Sequence, residues 1–125
     1  MKRVLLVEDH LPDALLLTEL LELAGVQWQV GHAQTFAHAV QCWTAGPYEL
    51  LLLDLDITDG WGLELLERAL ALVEGAPVVV LSGQDNPVVA AQAVQMGAHA
   101  YVVKGFDAAE RLVTLMDDPP ADQVG

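Results

Sequence analysis

Cations are scarce in this sequence: five lysines and arginines stand against 18 aspartates and glutamates, a formal net charge of −13 over 125 residues. A nucleic-acid surface needs a basic face, and five cations cannot make one. An anionic membrane surface would repel the chain as well. Cysteine is nearly absent. Cys42 stands alone, so no internal disulfide can form, and nothing argues for export. Long apolar runs are missing too. Ala76–Leu81 is far too short to span a bilayer, and the apolar stretch after Lys2 and Arg3 stops at Glu8, too early for a signal peptide. The expectation is a cytoplasmic protein with no nucleic-acid partner and no membrane insertion, open to cations, metals and basic partners.

What the chain does have is apolar residues, 54% of the total and spread along its length, which excludes a disordered segment. At this size one domain can bury a core without disulfide or structural metal. Residues 1–118 are expected to form it. Residues 119–125 read as a flexible C-terminal tail, because Pro119 and Pro120 cannot continue a helix. No output domain is expected to follow.

Short apolar runs alternate with helical periods. The runs are Val4–Val7, Val26–Val30, Leu50–Leu53, Pro77–Leu81 and Tyr101–Val103. Those at 4, 50 and 78 lack polar alternation, as strands covered on both faces do. Leu16, Leu17, Leu20, Leu21 and Ala24 form one helical stripe, and Leu65, Leu66, Ala69, Leu70 and Val73 form another. Gly25 and Gly97 fit helix C-termini, Pro87 after Asn86 fits a first turn, and Asp107 with Glu110 resembles a capping box. The fold class is therefore α/β: a doubly wound (βα)5 parallel sheet of five strands, order 2-1-3-4-5, in a flavodoxin-like three-layer sandwich.

In such sheets the site lies beyond the carboxyl ends of the strands. There the sequence puts its unusual polar residues: Glu8 and Asp9 after the first strand, Asp54 after the third, Ser82 after the fourth and Lys104 after the fifth. Three carboxylates packed together repel, and a hard cation relieves that; Mg²⁺ takes about six oxygens. A carboxylate can also be a nucleophile that forms an acyl phosphate. A hydroxyl and an ammonium suit phosphoryl oxygens. The set suggests phosphoryl transfer to an aspartate.

These stretches resemble the receiver domain of response regulators in two-component signalling. The resemblance rests on Val4-Leu-Leu-Val-Glu-Asp9, the segment from Leu51 to Gly62, Val78-Val-Val-Leu-Ser-Gly83, and Gly97-Ala-His-Ala-Tyr-Val-Val-Lys104. It implies that Asp54 accepts the phosphoryl group from a phosphohistidine. It implies that Asp9 ligates Mg²⁺ (or Mn²⁺) directly, Glu8 through water, Asp54 itself, and Asp56 by its backbone carbonyl. Ser82 and Lys104 would hold the phosphoryl group, and Tyr101 would be the aromatic that turns on activation. The implied partners are a histidine kinase or histidine phosphotransfer protein, and a downstream protein on the face of the fourth helix, fifth strand and fifth helix. Such a domain is a switch more than an enzyme.

The chain departs from the family pattern at four places. Glu8 replaces an Asp and Ser82 a Thr, both keeping their chemistry. Thr58 stands where Pro is usual, so the loop after Asp54 is expected to be less rigid. Gly105 replaces a Pro after the lysine, so no cis bond is expected there and Lys104 is aimed less firmly. Leu11 and Leu15 fall opposite the first helix's core stripe, at about 100° per residue, near the site, and are expected to dock the phosphodonor.

Other residues have plainer readings. Asp59 with Gly60 makes a turn. His32, His38 and His99 are surface residues, and His10 flanks the site. Cys42, Trp28 and Trp43 are packing residues, and Trp61 sits in a loop beside the site. A rival reading takes Asp54-Leu-Asp-Ile-Thr58 as the nucleophile motif of a haloacid-dehalogenase-type phosphatase, with Asp56 as general acid. Chain order opposes it, since that motif belongs on a first strand and the acidic pair comes late. A receiver that signals without phosphate is a third reading, disfavoured by the intact site.

Overall fold

The computed structural model describes residues 2–116. The expected tail at 119–125 lies outside them. The elements are β1 (Lys2–Val7), α1 (Leu11–Leu23), β2 (Trp28–Ala33), α2 (Phe36–Ala45), β3 (Leu50–Asp54), β4 (Asp56–Ile57), β5 (Gly60–Trp61), α3 (Gly62–Val73), β6 (Val78–Ser82), α4 (Pro87–Met96), β7 (Ala100–Val103) and α5 (Ala108–Leu115). Five strands form one parallel sheet in the order β2-β1-β3-β6-β7, the expected arrangement.

The uninterrupted apolar runs are explained by burial on both faces. Val4–Val7, Leu50–Leu53 and Val78–Leu81 are all buried. Along β1 and β3 successive side chains enter opposite layers. Leu5, Val7, Leu51 and Leu53 pack with Phe36, Leu65 and Leu66 from α2 and α3. Val4, Leu6, Leu50 and Leu52 pack with Leu17, Leu21 and Leu112 from α1 and α5. Each fully buried leucine contributes about 2 kcal/mol of transfer free energy.

The chain leaves β1 toward β2 on one side and resumes at β3 on the other. The loops after β1 and β3 therefore part, and a crevice opens at the carboxyl ends of these two strands. Caps fix the helices that border it. Thr35 Oγ1 accepts from His38 N at 3.1 Å, and Asn86 Oδ1 accepts from Val88 N and Val89 N at 3.2 Å. Gly25 (φ +83°) and Gly97 (φ +122°) take the left-handed backbone expected of them after α1 and α4.

Several expectations are corrected. The second strand is Trp28–Ala33 rather than Val26–Val30. In α1 the buried residues are Ala14, Leu17 and Leu21; Leu16 is exposed and Ala24 is the C-cap. The helix lies along one side of the sheet, so only residues a turn apart on a narrow strip reach the core. Asp107 makes no side-chain cap; its carboxylate pairs with Arg111 one turn on, at 3.0 Å. The segment after Asp54, read from the sequence as a loop, forms a small antiparallel hairpin, β4 against β5, with Thr58 and Asp59 at its tip.

Candidate phosphoacceptor site

Asp54 ends the most buried strand of the sheet, and its own residue is 6% exposed. Glu8 follows β1 and is 2% exposed, while Asp9 beside it is the open member of the acidic group. Carboxylate oxygens of Glu8, Asp9 and Asp54 lie within 4.8 Å of one another. Their convergence follows from the register: β1 and β3 are neighbours, with Val7 opposite Leu53, so the residues that follow share one end of the sheet.

Lys104, just past β7, reaches across this cluster. Its ammonium donates to Asp54 Oδ2 at 2.9 Å, to Asp13 Oδ2 at 3.0 Å and to Glu8 Oε1. Backbone fastens its base, because Lys104 N donates to the Ser82 carbonyl at 2.7 Å. The expected loss of aim through Gly105 is thus offset by carboxylate partners. No peptide bond among the described residues is cis.

The carboxylates are not equal. Burial pushes Glu8 up to about 7, the nearby Asp54 carboxylate adds to the rise, and Lys104 only partly opposes it. Asp13 is more open; its partial burial is outweighed by Lys104 and His10, which hold it below the usual range. Lys104 is held above its ordinary value: burial would lower it, but hydrogen bonds to Glu8, Asp54 and Asp13 prevail.

An open cleft of about 540 Å³ gives access, lined among others by Asp54, Asp56, Trp61, Ser82, Tyr101 and Lys104. Ser82 Oγ accepts from Gln84 N at 3.1 Å, and the Tyr101 hydroxyl donates to the Gln84 carbonyl at 2.6 Å. Asp56 N donates to Asp54 Oδ1 at 3.1 Å, and its side chain is exposed. Trp61 stands open at the rim, 76% exposed. Leu11 and Leu15 are exposed on the first turns of α1, outside the cluster.

Four residues have larger parts than their sequence readings gave them. Asp13 shares Lys104 and also lies 3.1 Å from His10 Nδ1; its place in the first turn of α1, one turn past Asp9, was the available signal. His32 is not a plain surface residue, since its Nε2 lies 2.6 Å from the Glu8 carbonyl. A carbonyl only accepts, so the ring proton is on Nε2. Thr58 Oγ1 donates to Asp9 Oδ2 at 3.1 Å. Asp59 does more than turn the chain: its carboxylate accepts from Phe36 N at 2.7 Å and Ala37 N at 3.0 Å. The last three contacts join residues far apart in the chain and carry no local pattern.

The donor set suits a hard divalent cation. Two buried carboxylates and one exposed one converge, and a single ammonium leaves Glu8 poorly compensated.

A family model for the response regulator receiver domain matches residues 4–117. The methanogenesis regulatory protein FilR1 of Methanothrix harundinacea (strain 6Ac) is 34% identical over 119 residues, covering 92% of this chain and 26% of that protein. The transcriptional regulatory protein BasR of Escherichia coli (strain K12) is 34% identical over 105 residues, covering 83% of this chain and 46% of that protein. The chain thus spans under half the length of either relative. A crystal structure of a response regulator from Burkholderia pseudomallei, with a phosphorylated aspartic acid, calcium ion and citrate, superposes with a TM-score of 0.75 at 29% identity, covering 92% of this chain and 66% of that one. The family match runs through the acidic pair just after β1 and the aspartate at the end of β3, the reverse of the order the phosphatase reading needs. With that order, this sheet and this cluster at its carboxyl end, the chain belongs to the response regulator receiver domains, the signalling switches of two-component systems.

Proposed function

We propose that Asp54 accepts a phosphoryl group from a phosphohistidine of a histidine kinase or histidine phosphotransfer protein, with Mg²⁺ (or Mn²⁺) present, and that the charge it gains alters partner binding. One observation carries the reading. The Asp54 carboxylate is buried at a strand end, bonded to Lys104 at 2.9 Å, within 4.8 Å of the Glu8 and Asp9 oxygens, and beside an open cleft.

In the transfer, an Asp54 oxygen bonds to phosphorus while the phosphorus–nitrogen bond of phosphohistidine breaks. The imidazole leaves with that electron pair and takes a proton. Hydrolysis of the acyl phosphate by water returns Asp54 and inorganic phosphate, so the domain catalyses only its own cycle. Lys104 is already within reach of the incoming oxygens, and its ammonium offsets their charge. Ser82 lines the same cleft and its hydroxyl can donate to the phosphoryl group. Asp56 N holds one Asp54 oxygen in place. Glu8, Asp9, Asp54 and the Asp56 carbonyl would hold the metal, which when bound supplies positive charge against the carboxylates and phosphoryl oxygens.

Tyr101 is the proposed relay to the face of α4, β7 and α5, where a downstream protein would bind. Leu11 and Leu15 are the proposed contacts for the phosphodonor. A cytoplasmic location fits a phosphodonor of this kind.

Treatment with acetyl phosphate, with and without Mg²⁺, followed by intact mass, tests the reading. It requires one added phosphate that depends on metal and is lost in Asp54→Asn. A stable, metal-dependent phosphate on that variant would move the site elsewhere.

A further inference from the structure

Thr58, which stands where the family resemblance leads one to expect proline, occupies the tip of the β4–β5 hairpin, and its hydroxyl donates to Asp9 Oδ2 at 3.1 Å. Proline has no donor, so this contact belongs to the departure itself. Asp59, the next residue, bonds to a different element. Its carboxylate accepts the first two N–H groups of α2, Phe36 at 2.7 Å and Ala37 at 3.0 Å. Arg68 lies over the Phe36 ring at 4.5 Å and adds its charge to that junction. Adjacent residues thus tie one turn to two separate elements.

Asp9 needs such help. It is the exposed member of the cluster, whereas Glu8 and Asp54 are fixed by burial. An exposed carboxylate samples several rotamers, and ordering it on binding costs free energy. A donor already in place reduces that cost.

We propose that Thr58 and Asp59 are positioning residues for the metal site: Asp59 fastens the hairpin turn to α2, and the Thr58 hydroxyl holds Asp9 ready for Mg²⁺. The inference rests on the reading of Asp9 as a metal ligand. It reverses the expectation that losing proline loosens this loop. Side-chain hydrogen bonds supply the restraint that a fixed ring would otherwise give.

The test is calorimetric titration of Mg²⁺ into wild type, Thr58→Val and Thr58→Ser, well below the melting temperature of each. Val keeps the shape and removes the donor; Ser keeps the donor. Thr58→Val should raise the Mg²⁺ dissociation constant about three- to tenfold, the range for one lost hydrogen bond, and Thr58→Ser should stay near wild type. Asp59→Ala should weaken Mg²⁺ binding alone, and add little in the Thr58→Val background, because it acts through the same hydroxyl. In the metal-free protein the Asp9 side-chain carboxyl carbon resonance should move in Thr58→Val and not in Thr58→Ser. Wild type that binds no Mg²⁺ would overturn the reading of the site. Wild type that binds it, with Thr58→Val unchanged in affinity and in the Asp9 resonance, would overturn the positioning role alone.

Discussion

Glu8 and Lys104, 96 positions apart, meet as a buried carboxylate and the ammonium that donates to it. The pairing is incomplete compensation, because the same ammonium also serves Asp54 and Asp13. A buried acid with one shared cation keeps part of its desolvation cost, which is why Glu8 rises to about 7.

That rise sets a pH dependence. Unfolded, Glu8 titrates near its ordinary 4.5; folded, it holds its proton to about 7. Between these values the folded state binds more protons, so stability falls as pH rises. Asp13 and Asp59 are lowered from 3.8 and Lys104 is raised from 10.5, so all three act outside this window. In metal-free buffer, unfolding free energy should drop by on the order of 2 kcal/mol from about pH 5 to about pH 8. Urea melts at intervals would measure it, and Glu8→Gln should flatten the slope. The same slope in that variant would assign the effect to another group.

Asp59→Ala should cost about 1–2 kcal/mol at neutral pH, since two N–H groups of α2 lose their acceptor. Partial burial of Asp59 is outweighed by those N–H bonds, which keep its carboxyl low. Its contribution is therefore present above about pH 4 and lost on acidification. Wild type and variant should converge in acid melts; a constant gap down to low pH would contradict the role.

Ser82→Ala should leave phosphorylation of Asp54 intact but uncouple it from Tyr101. In the structure Gln84 links the two, giving its N–H to Ser82 and its carbonyl to Tyr101. Drawing the Ser82 hydroxyl toward a phosphoryl group would disturb that link and bias the Tyr101 rotamer. Backbone NMR shifts over α4, β7 and α5 should change on phosphorylation of wild type and stay small in the variant. Identical changes in both would remove Ser82 from the path.

Leu11→Ser with Leu15→Ser should slow transfer from a protein phosphodonor by tenfold or more, on the order of 1.4 kcal/mol in the barrier. These residues are 47% and 61% exposed and outside both core clusters. Acetyl phosphate labelling and melting temperature should barely move. A parallel loss of both would make the leucines structural.

The sequence by itself determined the sheet, its order of elements and the strand-end positions of Glu8, Asp9, Asp54, Ser82 and Lys104. These follow from local signals: apolar runs of strand length, helical periods, and polar residues that interrupt the runs. Tertiary structure decided which partners these side chains have. Leu16 carries the same apolar side chain as Leu17, and only the angle at which α1 lies on the sheet exposes one and buries the other. Asp13 reads as an ordinary first-turn acid until Lys104 arrives from 91 residues away. Thr58 reads as a missing proline until Asp9, 49 residues off, supplies the acceptor. Hydrogen bonds between distant residues depend on where the fold brings donor and acceptor, and the spacing of residues along a chain does not encode that.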